Sequence, residues 1–130
     1  MKAVDTNVLL RHIVQDDPVQ SARASAFFDE RTAEDPAFVS LIVVAELVWA
    51  LRRRYRYPRE QIRFLFTALL ETAELVFEEE ASLSALVSGK DKGDIADHLI
   101  AISATRAGCT STVTFDRRAS LSVPAMELLQ

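Results

Sequence analysis

Cysteine, histidine and glycine are scarce in this chain of 130 residues, which has one cysteine, two histidines and three glycines. A single cysteine, Cys109, excludes an intrachain disulfide and a cysteine metal cluster. His12 and His98 are too few for a histidine-based zinc site without carboxylate ligands. The low glycine and proline content leaves no flexible linker, and the sequence has no internal repeat or low-complexity tract.

Long apolar runs are also absent, and none approaches the length that spans a membrane. Asp5 and Arg11 interrupt the apolar residues near the N-terminus, so that segment lacks the hydrophobic region of a signal peptide. We therefore expect a cytoplasmic protein. Hydrophobic residues make up 49% of the chain and charged residues 26%, which is typical of a globular protein, and the length fits a single domain over residues 1–130.

Apolar periodicity predicts short strands that alternate with helices. The predicted strands lie at 2–5, 37–40, 74–78, 111–115 and near 125–129. The predicted helices lie at 6–13, from 18 onward, at 41–55, 59–73 and 94–107, with short ones ending at 89 and preceding the last strand, and "KDKGD" at 90–94 is a predicted loop. This alternation predicts an α/β fold with a parallel sheet covered by helices on both faces.

Two aspartates stand where predicted strands end. Asp5 follows "KAV" and Asp116 follows "TVTF". Each could cap the following helix by accepting hydrogen bonds from free backbone N–H groups, and for Asp5 taken alone the cap is the commoner role. Ligands of parallel sheets, however, bind beyond the carboxyl ends of the strands, which favours a functional role for both residues.

Glu46 lies within "VVAELV", a segment so apolar that it predicts a buried carboxylate. A buried carboxylate costs several kcal/mol unless it is paired, protonated or bound to a metal. No basic residue lies one helical turn away, at 42, 43, 49 or 50. A long-range salt bridge and a metal ion both remain as ways to compensate the charge of Glu46.

The segment "DIADHLIAISATRAG" predicts a helix that ends before Gly108. Asp94 and Asp97 are three residues apart at its start, so they share one face. The positive end of the helix dipole favours carboxylates there, so for these two residues taken alone capping is slightly favoured over a ligand role.

These acids fall where an α/β sheet would bring them together. Several carboxylates in one cleft repel each other, and a divalent cation removes that conflict. Oxygen ligands suit Mg²⁺ or Mn²⁺ rather than zinc, and such a cation can activate a water and stabilise a phosphate oxygen. The residues concerned are Asp5, Glu46, Asp94 or Asp97, and Asp116.

The stretch "RRRYRYPREQIR" at 52–63 holds six arginines in a chain of net charge −4. The negative net charge argues weakly against a large nucleic-acid footprint. The stretch is either a solvated helix end, where arginine complements the dipole, or a patch that binds phosphates or an acidic partner. The neighbouring helices carry more apolar surface than one core face needs, which predicts a dimer through 41–55 and 59–73 and involves Trp49, Leu51, Phe64, Phe66 and Leu70.

Four segments in order resemble the PIN-domain ribonucleases, specifically the VapC-like toxins of bacterial type II toxin–antitoxin pairs. They are "VDTNVLL" at 4–10, "VSLIVVAELVWAL" at 39–51, "GDIADHLIAISATRAGC" at 93–109 and "VTFD" at 113–116. The resemblance implies a PIN-like three-layer α/β/α fold with sheet order 3-2-1-4-5. It also implies Mg²⁺- or Mn²⁺-dependent hydrolysis of RNA phosphodiester bonds, in which a metal-activated water leaves a 5′-phosphate and a 3′-hydroxyl.

The resemblance also implies residue roles and partners. The catalytic acids would be Asp5, Glu46, Asp97 and Asp116, and the metal ligands would include Asp5, Asp94, Asp97 and Asp116. The residues that support the acids or position the substrate would be Thr6, Asn7, Ser40 and Thr114. The family further implies a homodimer and a VapB-like antitoxin, a segment of which lies across the active cleft.

Three other classes of protein compete with this interpretation. A haloacid-dehalogenase phosphatase needs a second aspartate where this chain has Asn7. A response-regulator receiver needs a lysine after a late strand, where this chain has Asp116 and Arg117. A catalytically silent PIN-fold module that binds RNA or protein normally lacks one of the acids, and none is missing here.

Overall fold

The computed structural model describes residues 1–89 and 93–130, which form two compact units, Met1–Glu80 and Ala81–Gln130. Residues 90–92 of the predicted loop "KDKGD" lie outside the described residues. The first unit contains β1 (Lys2–Ala3), α1 (Thr6–Val14), α2 (Pro18–Asp29), β2 (Ala37–Val39), α3 (Leu41–Arg53), α4 (Arg59–Leu70) and β3 (Leu75–Phe77). Helix α5 (Glu80–Ser88) begins at the last residue of the first unit and continues into the second. The second unit then contains α6 (Ile95–Arg106), β4 (Thr112–Thr114), α7 (Arg117–Ser122) and β5 (Met126–Leu128).

Each unit has its own parallel sheet, which confirms the predicted α/β class. In the first unit β2 lies between β1 and β3, and Ala37 is opposite both Lys2 and Leu75. In the second unit β4 pairs with β5, and Thr112 is opposite Met126. These pairings match the 3-2-1 and 4-5 parts of the predicted strand order. The joining of β1 to β4 stays a prediction, as does the single domain over 1–130.

The strands are shorter than predicted because helices begin almost at once after them. Strand β2 ends at Val39, and Ser40 caps α3 by accepting a hydrogen bond at Oγ from the Val43 N–H at 3.2 Å. The α3 N-terminus gains a second acceptor, because Glu78 Oε1 accepts from the Leu41 N–H at 2.8 Å. The chain therefore passes from strand to helix within one residue, and a polar side chain occupies that junction.

The core of the first unit is built on one face of α3. Val44, Leu47, Val48 and Leu51, spaced i, i+3, i+4 and i+7 along the helix, are buried there, each 2% exposed or less. Burial of a full aliphatic side chain stabilises the fold by roughly 1.5–3 kcal/mol. Helices α1 and α4 both pack against α3, and the best-buried residues in those helices are Leu9, Leu10, Ile62 and Phe66. Helix α3 is therefore the central packing element of this unit.

The predicted dimer patch is partly wrong, because two of its members belong to this core. Leu51 is fully buried and Phe66 is 2% exposed. Trp49 and Phe64, in contrast, are 59% and 77% exposed. The periodicity alone could not separate the two groups, since both lie in strongly apolar helices.

The second unit has a smaller core, formed by Ala101, Ala119, Val123 and Met126. Helix α6 ends before Gly108, as predicted, and Gly108 has φ of +92°. The Gly108 N–H donates to the Thr105 carbonyl and the Cys109 N–H to the Ala104 carbonyl, each at 3.0 Å. This pair of bonds is the Schellman motif, and it needs a residue that tolerates positive φ at position 108. No helix within the described ranges is long and apolar enough to cross a membrane.

Candidate acidic site

Asp5 occupies the N-cap position of α1, but its carboxylate does not cap the helix. Its backbone is extended, at φ −80° and ψ 157°, and its side chain makes no cap hydrogen bond. The next residue, Thr6, is buried, and its Oγ1 has no hydrogen-bond partner among the described residues. The capping interpretation of Asp5 is therefore wrong, and its exposed carboxylate remains available to an added ligand.

Asp5 lines a cavity of about 560 Å³ together with residues of β1, α1 and α2. Ala3, Val4, Val8, Ala24 and Phe27 form the apolar part of its lining. Asn7 and Asp5 supply polar groups at one junction, and the rest come from Arg11, Gln20 and Arg23. The cavity can therefore hold an apolar group beside one carboxylate and two guanidinium groups.

A long-range hydrogen-bond network holds Arg11 in this lining. Arg11 Nη1 donates to Asp16 Oδ1 at 2.8 Å and to Tyr55 Oη at 3.3 Å, and Tyr55 Oη donates to Asp16 Oδ2 at 2.8 Å. The hydrogen bond from Tyr55, assisted by Arg11, lowers the pKa of the Asp16 carboxyl below its ordinary value. The network ties the end of α1 to the turn that follows α3.

Glu46 is exposed, so the predicted burial of this residue is wrong. Helix α3 buries only the face of Leu47 and Leu51, and its other face carries Ile42, Glu46 and Trp49. Ile42 is 72% exposed, and its apolar character is what made the segment resemble an all-buried helix. Glu46 therefore needs neither a buried counter-ion nor a metal to compensate burial, and its predicted catalytic role rests on the resemblance to the family pattern.

In the second unit, Asp94 is the N-cap of α6. Its Oδ1 accepts a hydrogen bond from the Ala96 N–H at 3.1 Å, which confirms the capping interpretation for this residue. Asp97 lies in the first turn of α6, three residues later and so on the same face as Asp94. Capping engages one oxygen of Asp94 and does not decide whether the carboxylate also binds a metal.

Asp116 caps α7 and is itself held by Thr114. Its Oδ1 accepts from the Arg118 N–H at 2.9 Å and from the Ala119 N–H at 3.2 Å. Thr114 Oγ1 accepts from the Asp116 N–H at 3.0 Å. The carboxylate is exposed, and both cap hydrogen bonds go to Oδ1, so Oδ2 is left to contact a ligand. Thr114 holds the backbone of Asp116 at this junction.

Gly93 and His98 form a contact beside the two α6 acids that sequence reasoning did not identify. His98 is buried, and its Nε2 has no hydrogen-bond partner within the described ranges. A Cβ added to Gly93 would lie 2.6 Å from that nitrogen, which is closer than real Cβ atoms approach. A Cβ at position 93, immediately before Asp94, would therefore force the buried imidazole to shift. The one sequence feature that could have indicated this contact is the histidine directly after Asp97, before the apolar residues of the helix.

The acids are divided between the two units, with Asp5 and Glu46 in the first and Asp94, Asp97 and Asp116 in the second. Within either unit, the described residues contain no group of three or more acids, histidines or cysteines placed to hold a metal ion. The predicted ligand set therefore draws its acids from both units. The chemistry of the donors, carboxylate and hydroxyl oxygens, fits Mg²⁺ or Mn²⁺.

The molecule is thus an α/β protein whose strand–helix junctions carry acidic side chains. Residues 2–122 match the PIN domain family, and the chain belongs to that family. PIN domains are generally nucleases and typically use divalent metals. No curated protein matches the chain significantly. The family membership confirms the prediction made from the four segments, and the narrower VapC-like assignment stays a prediction.

Proposed function

We propose that this protein is a metal-dependent ribonuclease that hydrolyses RNA phosphodiester bonds, and that it is the toxin of a toxin–antitoxin pair. Membership of the PIN family supports nuclease chemistry. The observation that carries the proposal is the carboxylate of Asp5, which stands at a strand–helix junction and makes no cap hydrogen bond. Because this carboxylate does not cap the helix, it is available to take part in a reaction.

Asp5, Asp94, Asp97 and Asp116 would hold the Mg²⁺ or Mn²⁺, and Glu46 would complete the catalytic acids. When bound, the cation supplies charge stabilisation at the phosphate and a water of lowered pKa. The cap hydrogen bonds hold Oδ1 of Asp116, and Oδ2 would contact the cation. The exposed carboxylate of Glu46 would accept a proton from the attacking water at one of its Oε atoms. Thr6 and Asn7 would support Asp5, and Ser40 fixes the start of the helix that carries Glu46.

The proposed antitoxin partner is VapB-like, and the cavity beside Asp5 supports it. The cavity has a largely apolar lining, and Arg23 stands in it exposed and without an ion pair to any described acid. A partner segment with an apolar side chain next to a carboxylate would complement both features. Such a segment would also cover Asp5 and so inhibit the enzyme.

The proposed homodimer forms through α4. Phe64 is 77% exposed at the middle of that helix, and Ala68, one turn later, is also exposed. An exposed apolar face on an otherwise amphipathic helix is typical of an interface. This surface replaces the wider patch predicted from the sequence.

Substitution of Asp5 tests the proposed activity. Asp5→Asn keeps the shape of the side chain and removes its charge, so cleavage of RNA in Mg²⁺ or Mn²⁺ should fall by several orders of magnitude while the far-UV circular dichroism spectrum stays unchanged. Asp29→Asn is the matched control, because Asp29 is exposed at the end of α2, outside the proposed acids, and should leave cleavage unchanged.

Two outcomes would contradict the proposed activity. Full cleavage by Asp5→Asn would remove Asp5 from the reaction, and equal cleavage in EDTA would remove the metal. A wild-type protein that binds RNA in Mn²⁺ and never cleaves it would instead favour the catalytically silent PIN-fold module.

A further inference from the structure

The solvent-facing side of α3 presents a carboxylate, an indole and a guanidinium in one line. Glu46, Trp49 and Arg53 are spaced i, i+3 and i+7, so they project from the same side of the helix. All three are exposed, and the indole of Trp49 is 59% exposed. At 1.5 Å per residue, Glu46 and Arg53 lie roughly 10 Å apart along the helix axis.

Dimerisation does not account for this exposed tryptophan if Glu46 is catalytic. Trp49 lies one helical turn from Glu46, so a second subunit that buried the indole would also cover the carboxylate. The face instead suits a ligand with a flat ring that stacks on the indole and an anionic group that pairs with the guanidinium. Single-stranded nucleic acid has that character, because its bases stack on aromatic rings and its phosphates pair with arginine.

The turn after α3 continues the basic surface at a cost in local stability. Arg56 has φ of +56°, a left-handed conformation that glycine or asparagine adopts more readily than arginine. Arg59 begins α4, where the positive end of the helix dipole disfavours a cation. The solvated-helix-end interpretation explains Arg53 but neither of these residues.

Acidic partners for these arginines are absent from the described part of the chain. Arg53, Arg56 and Arg59 are exposed, and none forms an ion pair with an acid there. The stretch 52–63 contains one glutamate, Glu60, against six arginines, in a chain of net charge −4. A cation without an acidic partner in an unfavourable backbone position points to a function for its side chain.

We propose that this surface, defined by Glu46, Trp49, Arg53, Arg56 and Arg59, binds single-stranded RNA and leads it past Glu46. A base stacks on Trp49, and the arginines bind successive phosphates with their guanidinium groups. The inference rests on the proposed ribonuclease function, since it describes how the substrate of that site approaches.

Trp49 is the only tryptophan in the chain, so its fluorescence reports the stacking directly. The Asp5→Asn protein, which should not cleave, is titrated with a short unpaired RNA, and the fluorescence is expected to be quenched to saturation. Inorganic polyphosphate, which has no bases, should compete with the RNA without quenching. A second measurement, by anisotropy of labelled RNA, gives the affinity of variants that lack the indole.

Trp49→Ala should weaken RNA binding by between about 5-fold and about 150-fold and leave polyphosphate binding unchanged, because only the stacked base is removed from the interaction. Phe64→Ala is the matched control, an exposed aromatic residue on α4, and should change the oligomeric state but not the RNA affinity. The reverse pattern, in which Trp49→Ala dissociates a dimer and binds RNA as before, would overturn the proposal.

Arg53→Gln and Arg56→Asn test the binding of phosphates. Each should weaken both RNA and polyphosphate binding, and the salt slope for RNA should fall by about 0.7 for each phosphate that is no longer neutralised. Arg56→Asn should unfold at the same or a higher temperature, since asparagine tolerates the left-handed conformation. RNA binding should therefore weaken while thermal stability is kept or raised. Unchanged RNA affinity and slope in both variants would overturn the proposal and leave the surface to an acidic protein partner.

The ribonuclease proposal can fail separately. Metal-dependent cleavage by the wild-type chain without quenching of Trp49 would contradict the proposed RNA-binding surface and support the proposed nuclease activity. Quenching of Trp49 fluorescence by RNA in a wild-type chain that never cleaves would support the proposed surface and contradict the proposed nuclease activity.

Discussion

The two units use their acidic residues differently at equivalent places in the fold. In the first unit Asp5 stands at the start of α1 and makes no cap hydrogen bond. In the second unit Asp94 and Asp116 stand at the starts of α6 and α7, and both cap them. The position of a carboxylate at the start of a helix therefore does not decide its role. Its hydrogen bonds decide whether the helix depends on it.

The largest expected effect separates Asp97 from its capping neighbour Asp94. Asp97→Ser should abolish RNA cleavage, because it removes the carboxylate of a proposed metal ligand. Asp94→Ser keeps a capping oxygen, so it should lose only a few tenths of a kcal/mol of stability. If Asp94 also binds the metal, cleavage should fall by about tenfold or more, with a higher Mn²⁺ requirement.

Cleavage assays across a Mn²⁺ series, together with denaturant unfolding, measure both quantities. Active Asp97→Ser beside inactive Asp94→Ser would show that the two roles are reversed. Cleavage by Asp94→Ser at the wild-type rate and Mn²⁺ requirement would leave Asp94 as a cap alone.

A smaller effect compares Asp116 with Asp5 in stability alone. Asp116→Ala removes an acceptor of two backbone N–H groups and should lower the free energy of unfolding by about 1 kcal/mol. Asp5→Ala removes no cap hydrogen bond, so its free energy of unfolding should be nearly that of the wild type. Urea unfolding followed by circular dichroism measures the difference, and an equal loss in both variants would end the contrast between the units.

The smallest expected effect concerns the network of Arg11, Asp16 and Tyr55. Because the pKa of Asp16 is lowered in the folded state, its contribution to stability is fully present above the unfolded pKa and is lost as the pH falls through the folded pKa. Tyr55→Phe removes the hydrogen bond to Asp16, so that pKa should rise toward its ordinary value. NMR titration of the Asp16 carboxyl carbon tests this, and an unchanged pKa would assign the effect to Arg11 instead.

The order of strands and helices could be predicted because apolar periodicity and cap residues act over a few neighbouring positions. Gly108 was predicted for the same reason, since only the local backbone at the end of α6 decides it. The burial of Glu46 was predicted wrongly, because exposed Ile42 and Trp49 look like core residues in a linear pattern. The burial of a residue depends on what packs against its helix, and the sequence does not state this locally.

The candidate site shows the same limit. The absence of a cap hydrogen bond at Asp5 depends on a rotamer, and the contact of Tyr55 with Asp16 joins residues 39 positions apart. Neither has a local sequence pattern. The acids themselves could be recognised from the four family segments, and their assignment as catalytic residues and metal ligands stays a prediction.

Because His98 lies so close to Gly93, the residues that these two positions accept depend on each other. Any side chain introduced at 93 meets the imidazole before it meets solvent, so a single substitution there is a steric conflict regardless of its chemistry. A smaller residue at 98 would remove the closest contact, after which a Cβ at position 93 would still meet the Ser122 Cβ at 3.2 Å. An engineering library for the start of α6 should therefore randomise 93 and 98 together, since every substitution at 93 alone places a Cβ against the imidazole.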